Sequence, residues 1–212
     1  MKREQTGRSR VFAAGRATIL LFAIVSGASM ASDIEEPKYE VVQTFGDVEI
    51  RHYEPSIQAQ TVLQSDGETS GGFRRLAGFI FGGNDRDQEI AMTAPVQETL
   101  EQKAPVMAFT MPSEYAMSDL PQPNDSSVTL TEVPARTVAV IEFSGWATAS
   151  SVAKRKEALL STLKEQQIET MGKPFLNQYN PPWTLPFLRR NEVAVEIPAG
   201  FDAKQPSSPD AA

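Results

Sequence analysis

The 212-residue chain carries 20 basic and 27 acidic residues, a single histidine and no cysteine. The lack of Cys excludes thiol catalysis, cysteine-bound zinc and iron–sulfur clusters. The acidic balance argues against nucleic acid or anionic lipid as partners, because phosphate recognition needs a basic surface.

Taken in chain order, the first 31 residues read as an export signal. Lys2, Arg3, Arg8, Arg10 and Arg16 form a positive region, and an apolar run follows that ends in small residues. Ser29 and Ala31 suit the −3 and −1 positions of a signal-peptidase site, which places cleavage after Ala31 and the protein in the periplasm or outside the cell. The apolar run is shorter than the roughly 20 residues of a membrane span. Removing five bases and one acid leaves residues 32–212 with 15 basic and 26 acidic residues, a net charge of −11. No apolar segment long enough to span a membrane remains in it. Residues 32–199 make one domain with room for a sizeable core. Residues 200–212, rich in Pro, Ser and Ala, read as a disordered tail.

Within the domain, KYEVVQTFGDVEIRHYEPSIQAQTVL has strand character, with alternation over 48–53. SGGFRRLAGFIFGGN predicts a helix capped by Ser70, with Phe73, Ala77 and Ile80 on its core face and Gly82-Gly83 at its end. Phe79 and Phe81 fall off that stripe, which leaves apolar surface for a ligand. EIAMTAPVQETL and PVMAFTMPSEY read as two further strands. In the second half, SVTLTEVPARTVAVIEFSG reads as strand and turn. SSVAKRKEALLSTLKEQQ is an amphipathic helix with Val152, Leu159, Leu160 and Leu163 as its stripe, and KPFLNQYNPPW and RRNEVAVEIP close the set.

The two halves repeat. Pro55 and Pro134 are 79 residues apart, Ser70 and Ser150 are 80 apart, and the strand-closing Pro112 and Pro198 are 86 apart. The expected fold is therefore α+β: two tandem β-α-β-β units with two main helices packed on their sheets.

Several segments in this order resemble the SOUL haem-binding protein family: YEVVQTFGDVEIRHYEP, FRRLAGFIFGGN, EIAMTAPV, FTMPSEY, LPQPNDSSVTLTEVPARTVAVIEFSG and QYNPPWTLPFLRRNEVAVEIP. The resemblance runs from Tyr39 to Pro198. It implies a distorted β-barrel, like the effector-binding domains of some bacterial regulators, and non-covalent binding of haem or a related tetrapyrrole. It also implies a cleft between the first helix and the loop before the last strand, which by position brings in Arg74, Gly78, Trp183 and Leu185. Some members carry a histidine in the EIRHY segment that is proposed to ligate iron; here it is His52.

The residues themselves agree in kind. Haem iron takes His, Cys, Met or Tyr as axial ligand, so His52 is the one imidazole candidate, and a bis-histidine site within one subunit is excluded. Its second nitrogen would need a carbonyl or carboxylate, and alternation puts Glu54 on its face. Gly78 would let a flat ring approach the helix, Phe79 would add to the apolar wall, and Arg74 could pair with carboxylates. Trp183 and Leu185 sit among prolines in a stiff flap that ends in Arg189 and Arg190. Met92 reads as a core residue. A C-x-x-C-H attachment site is absent, and without a nucleophile elbow the chain reads as a binder, not an enzyme. Two other readings use the same framework: a module for another hydrophobic ligand, and a hydrolase built on the effector-binding fold.

Overall fold

The computed structural model describes residues 34–64, 68–100 and 103–200. The expected leader lies outside the described residues, as does the expected tail beyond Gly200. The first half contributes β1 (Tyr39–Phe45), β2 (Val48–Tyr53), β3 (Ser56–Val62), α1 (Thr69–Ile80), β4 (Val96–Thr99) and β5 (Val106–Thr110). The second contributes β6 (Val128–Val133), β7 (Arg136–Phe143), α2 (Ala149–Glu165), β8 (Met171–Gln178) and β9 (Asn191–Ile197).

All these strands join one antiparallel sheet in the order β1-β2-β7-β9-β8-β4-β5-β3-β6. The tandem repeat is visible in that order. The run β2-β7-β9-β8 mirrors β6-β3-β5-β4, and β4 and β8 meet at the centre. Each unit thus lends one strand to the other: β2 lies on β7, and β6 lies on β3. The switch happens at the two matched prolines. Pro55 separates β2 from β3, and Pro134 separates β6 from β7. Proline donates no ladder hydrogen bond, so it suits the point where a strand leaves one partner for another.

Alternation fixes the faces. Val48 and Ile50 of β2, Ala139 and Ile141 of β7, Leu176 of β8 and Val193, Val195 and Ile197 of β9 pack with Val152, Leu159 and Leu163 of α2. Ala59 and Leu63, with Met107 and Phe109, form a second core with Leu76, Phe79 and Ile80 of α1. Each fully buried Leu contributes roughly 1.5–3 kcal/mol. The opposite face is also buried, at Arg51, Val138, Val140, Phe175, Asn177 and Glu192, although neither helix core includes it. The sheet therefore curls so that this face becomes its inside, giving the distorted barrel with both helices outside.

Three local expectations are corrected. The buried stripe of α1 is Gly72, Leu76, Phe79 and Ile80, and Phe73 is exposed. The helix is rotated because Gly72 sits against Leu63, the residue after β3: a Cβ there would lie 2.2 Å from Leu63 Cδ2. Residue 70 is inside the first turn and caps nothing, since the helix starts at Thr69 after Glu68 without a side-chain cap. Of EIAMTAPVQETL, only Val96–Thr99 is a named strand; the part before it is irregular, with a cis Ala94–Pro95 bond. In α2, Thr148 Oγ1 accepts from Ser151 N at 3.2 Å and caps the helix.

Candidate functional site

Two exposed apolar surfaces stand out, and the sequence determines both. On α1, burying Gly72, Leu76, Phe79 and Ile80 turns Arg74, Gly78 and Phe81 outward, at i, i+4 and i+7 on one stripe. Phe73 lies beside them, its ring edge-on to Phe109 with centroids 5.3 Å apart. A Cβ on Gly78 would meet nothing within 4 Å, so the helix surface is open there. Arg74 is exposed and takes no partner among the described residues. Arg75, its neighbour, is committed to Thr61 Oγ1, Glu68 and Val62 O.

The second surface is the flap between β8 and β9. Trp183 is 83% exposed, and Leu185, Phe187 and Leu188 are exposed with it. A loop with so much apolar surface keeps its shape only if braced. Arg189 provides the brace: it is buried and donates from Nε to Thr184 O at 2.9 Å and from Nη2 to Pro182 O, while its guanidinium stacks 3.9 Å from the Trp146 ring. Gly145 N donates to Pro186 O at 2.9 Å and ties the flap to the β7–α2 turn. Arg190 is engaged with Glu36 and with the ring of Tyr179. The two arginines at the flap's end are thus engaged within the protein, whereas Arg74 is exposed and without a partner among the described residues.

The residues between α1 and β4 lead from the end of the helix to the strand that pairs with β8. Ile90 N donates to Ile80 O at 2.8 Å at the end of α1. Val96 pairs with Gln178 at the foot of the flap. Five residues, 91–95, lie between these two anchor points. Met92 is half-buried among the α1 core residues, in keeping with a packing role.

His52 stands elsewhere. It is exposed near the end of β2, on the face that packs against α2, opposite Glu40 on β1 and Thr137 on β7. Its Nδ1 is 3.5 Å from Thr137 Oγ1, too long for a firm hydrogen bond. Glu54, expected beside it, falls after the strand, where its backbone N–H donates to Lys38 O. Arg74 and Gly78 are thus exposed on α1, Trp183 and Leu185 are exposed on the flap, and His52 is exposed on β2. Phe79 is 2% exposed and belongs to the core beneath α1, not to the outer wall. Phe81 and Phe73 take that outward place.

Sequence reasoning missed a buried polar network on the inside of the curl. Glu192, fully buried at 0% exposure, accepts from Arg51 Nη1 at 2.9 Å, Tyr179 Oη at 2.7 Å and Asn177 Nδ2 at 3.2 Å. Burial works against the charge on Arg51, but Glu192 and Tyr53 together outweigh it and hold the guanidinium above its ordinary pKa. Burial also pushes the Tyr53 phenol up to about 12, aided by the charge of Glu192. The signal was present as alternation: Glu49, Arg51 and Tyr53 share one face of β2, and Glu192 and Glu196 share one face of β9.

Among the described residues no group of three or more His, Asp or Glu could hold a metal ion, and no helix is long and apolar enough to cross a membrane. A cleft of about 40 Å³ between residues 35–38, Pro55, Thr93 and Met111 is far below the roughly 300–1,000 Å³ of ligand pockets. The α1 strip offers open space beside Gly78, the exposed rings of Phe73 and Phe81, and Arg74, which has no partner among the described residues.

This geometry, a curled antiparallel sheet flanked by two helices with an exposed apolar flap, defines a distorted α+β barrel. A family model described as SOUL heme-binding protein matches residues 34–196, and the chain belongs to that family. Heme-binding protein 2 of Mus musculus is 31% identical over 175 residues, covering 71% of this chain and 82% of the relative. Heme-binding protein 2 of Homo sapiens is 32% identical over 164 residues, covering 70% and 77%. Among solved structures, the C-terminal domain of EcmrR superposes with a TM-score of 0.53 at 10% identity, over 76% of this chain and 98% of that one. A hydrolase from Listeria innocua superposes with a TM-score of 0.52 at 10% identity, over 79% and 94%. At such identities these structures share the fold alone.

Proposed function

We propose that this chain binds haem, or a related tetrapyrrole, non-covalently on the surface between α1 and the flap, and that it carries, buffers or senses that ligand without turning it over. The observations behind this reading are two exposed apolar surfaces: the helix strip of Phe73, Gly78 and Phe81, and a braced flap that leaves Trp183 83% exposed. Exposed apolar patches of this kind mark binding sites. Family membership and two mammalian relatives named as heme-binding proteins support haem as the ligand. Apolar burial supplies the affinity, at about 25 cal/mol per Å², and Arg74 orients the propionates. The leader over residues 1–31 supports export to the periplasm or beyond, testable by N-terminal sequencing of the mature protein.

An absorption titration tests the site. Phe81→Ala and Trp183→Ala are each expected to weaken haem about tenfold, the effect of losing an aromatic anchor. His52→Ala is expected to leave both affinity and Soret position unchanged. Metal-free protoporphyrin should bind nearly as well as haem, and a fatty acid much more weakly. If both aromatic variants bind like wild type, the ligand sits elsewhere. If His52→Ala moves the Soret band, the iron is on β2.

A further inference from the structure

The inside of the curl carries a second constellation, unrelated to the outer surface. Arg136 on β7 reaches Gln97 on β4, with Nη2 3.4 Å from Oε1. The two strands are three places apart in the sheet, so only the curl brings these side chains together. Gln58 Nε2 approaches the same Gln97 oxygen at 3.5 Å, and Gln60 Nε2 donates to Gln58 Oε1 at 2.9 Å. The first two contacts are longer than satisfied hydrogen bonds. The acidic neighbour of Arg136, Glu196, is 4.0 Å away and faces solvent in part. Burial draws the Arg136 pKa below its ordinary value, and Glu196 offsets this only partly. Arg136 is thus an under-compensated cation, held over the Phe175 ring at 5.3 Å.

Two further groups converge there. Tyr53 pairs with Arg136 in register, and its oxygen already accepts from Arg51, which leaves its O–H to donate. Asn177 pairs with Gln97 in register and is only 5% exposed; its Oδ1 is buried with no hydrogen-bond partner. A buried acceptor without a donor costs about 1–3 kcal/mol, so its persistence points to something that donates to it. A cationic ligand does not fit. The buried carboxylate, Glu192, already accepts from three donors.

We propose that this inner face is a second ligand site, for a small carboxylate that also carries a hydroxyl or N–H donor. The carboxylate binds Arg136, Gln97 and the Tyr53 hydroxyl, and the donor binds Asn177 Oδ1. The site does not depend on the haem reading, since it shares no residue with the outer surface.

Lactate serves as the probe, with acetate and neutral lactamide beside it, in calorimetric titrations of the full chain. Lactate is expected to bind more tightly than acetate, and lactamide not at all. Arg136→Met should weaken lactate about tenfold or more, the loss of a charge-assisted hydrogen bond, and leave haem titration unchanged. Should that variant fail to fold, side-chain amide NMR of the wild type decides the same question, with the Asn177 and Gln97 signals shifting as lactate is added. Absence of lactate binding, equal binding of lactamide, or Asn177 and Gln97 signals that stay still would each overturn the proposal.

Discussion

Arg51 and Glu192 show how an interior charge becomes tolerable in this molecule. Neither reaches solvent to any extent, and each is surrounded by partners: Glu49 and Tyr53 for the arginine, Asn177 and Tyr179 for the glutamate. Glu192→Ala leaves the buried Arg51 guanidinium with only the half-exposed Glu49 carboxylate and should cost about 3 kcal/mol in urea unfolding. The double change Arg51→Met with Glu192→Leu should recover part of that loss, because the charge is gone; the recovery is partial, since Tyr179 and Asn177 still lose their acceptor. Tyr53 adds a pH signature. Its folded pKa, about 12, lies above that of an exposed tyrosine near 10. A raised pKa contributes stability in full below the unfolded value and loses it as pH climbs through the folded one, so stability should fall between about pH 10 and 12. Urea midpoints across that range should fall less steeply in Tyr53→Phe; an identical slope would mean that the phenol is not buried as described.

The contrast between two glycines makes α1 testable as an element. Gly72 lies where a Cβ would collide with Leu63, so Gly72→Ala should lift the helix from β3 and cost about 1–3 kcal/mol. Gly78 faces open space, so Gly78→Ala should raise stability by up to about 1 kcal/mol through helix propensity, while roughening the surface proposed for haem. Thermal unfolding of the two variants should move in opposite directions. The same helix marks where sequence reading succeeds and where it stops. The helices, the repeat and the strands around VEIRHY follow from period and turn residues, which are local. The face of α1 does not, because Phe73 and Phe79 are equally apolar and only the close contact at Gly72 decides which one goes inside. The buried side of β2 and β9 was hidden for a similar reason. Polar alternation normally means a solvated face, and here the curl, a property of the entire sheet, covers it. The cleft residues Arg74, Gly78, Trp183 and Leu185 came from family resemblance by position, and the flap's brace, Arg189 on Trp146, joins positions 43 apart.

At the scale of the molecule, the exchanged strands decide how the chain folds. β2 belongs by sequence to the first half but completes the sheet of the second, and β6 does the reverse. Leaving either out would expose a strand edge and uncover core: without β2, Val48 and Ile50 are missing from beneath α2, and without β6, Val128 is missing from the α1 core. The central β4–β8 pair is a third seam between halves. Neither half is therefore a self-sufficient domain, despite each having its own helix and hydrophobic cluster, and most pairing in the sheet joins residues distant in sequence, which favours slow folding. Cutting the exposed loop between β5 and β6 at Ser126 tests this. Segments 32–126 and 127–212, produced separately, should each lack a cooperative unfolding transition as monomers, and an equimolar mixture should regain the circular dichroism and urea transition of the intact chain. A monomeric half that unfolds cooperatively by itself would show that the lent strand is an accessory; restoration only on mixing would show that the two units, though repeated in sequence, make one folding unit.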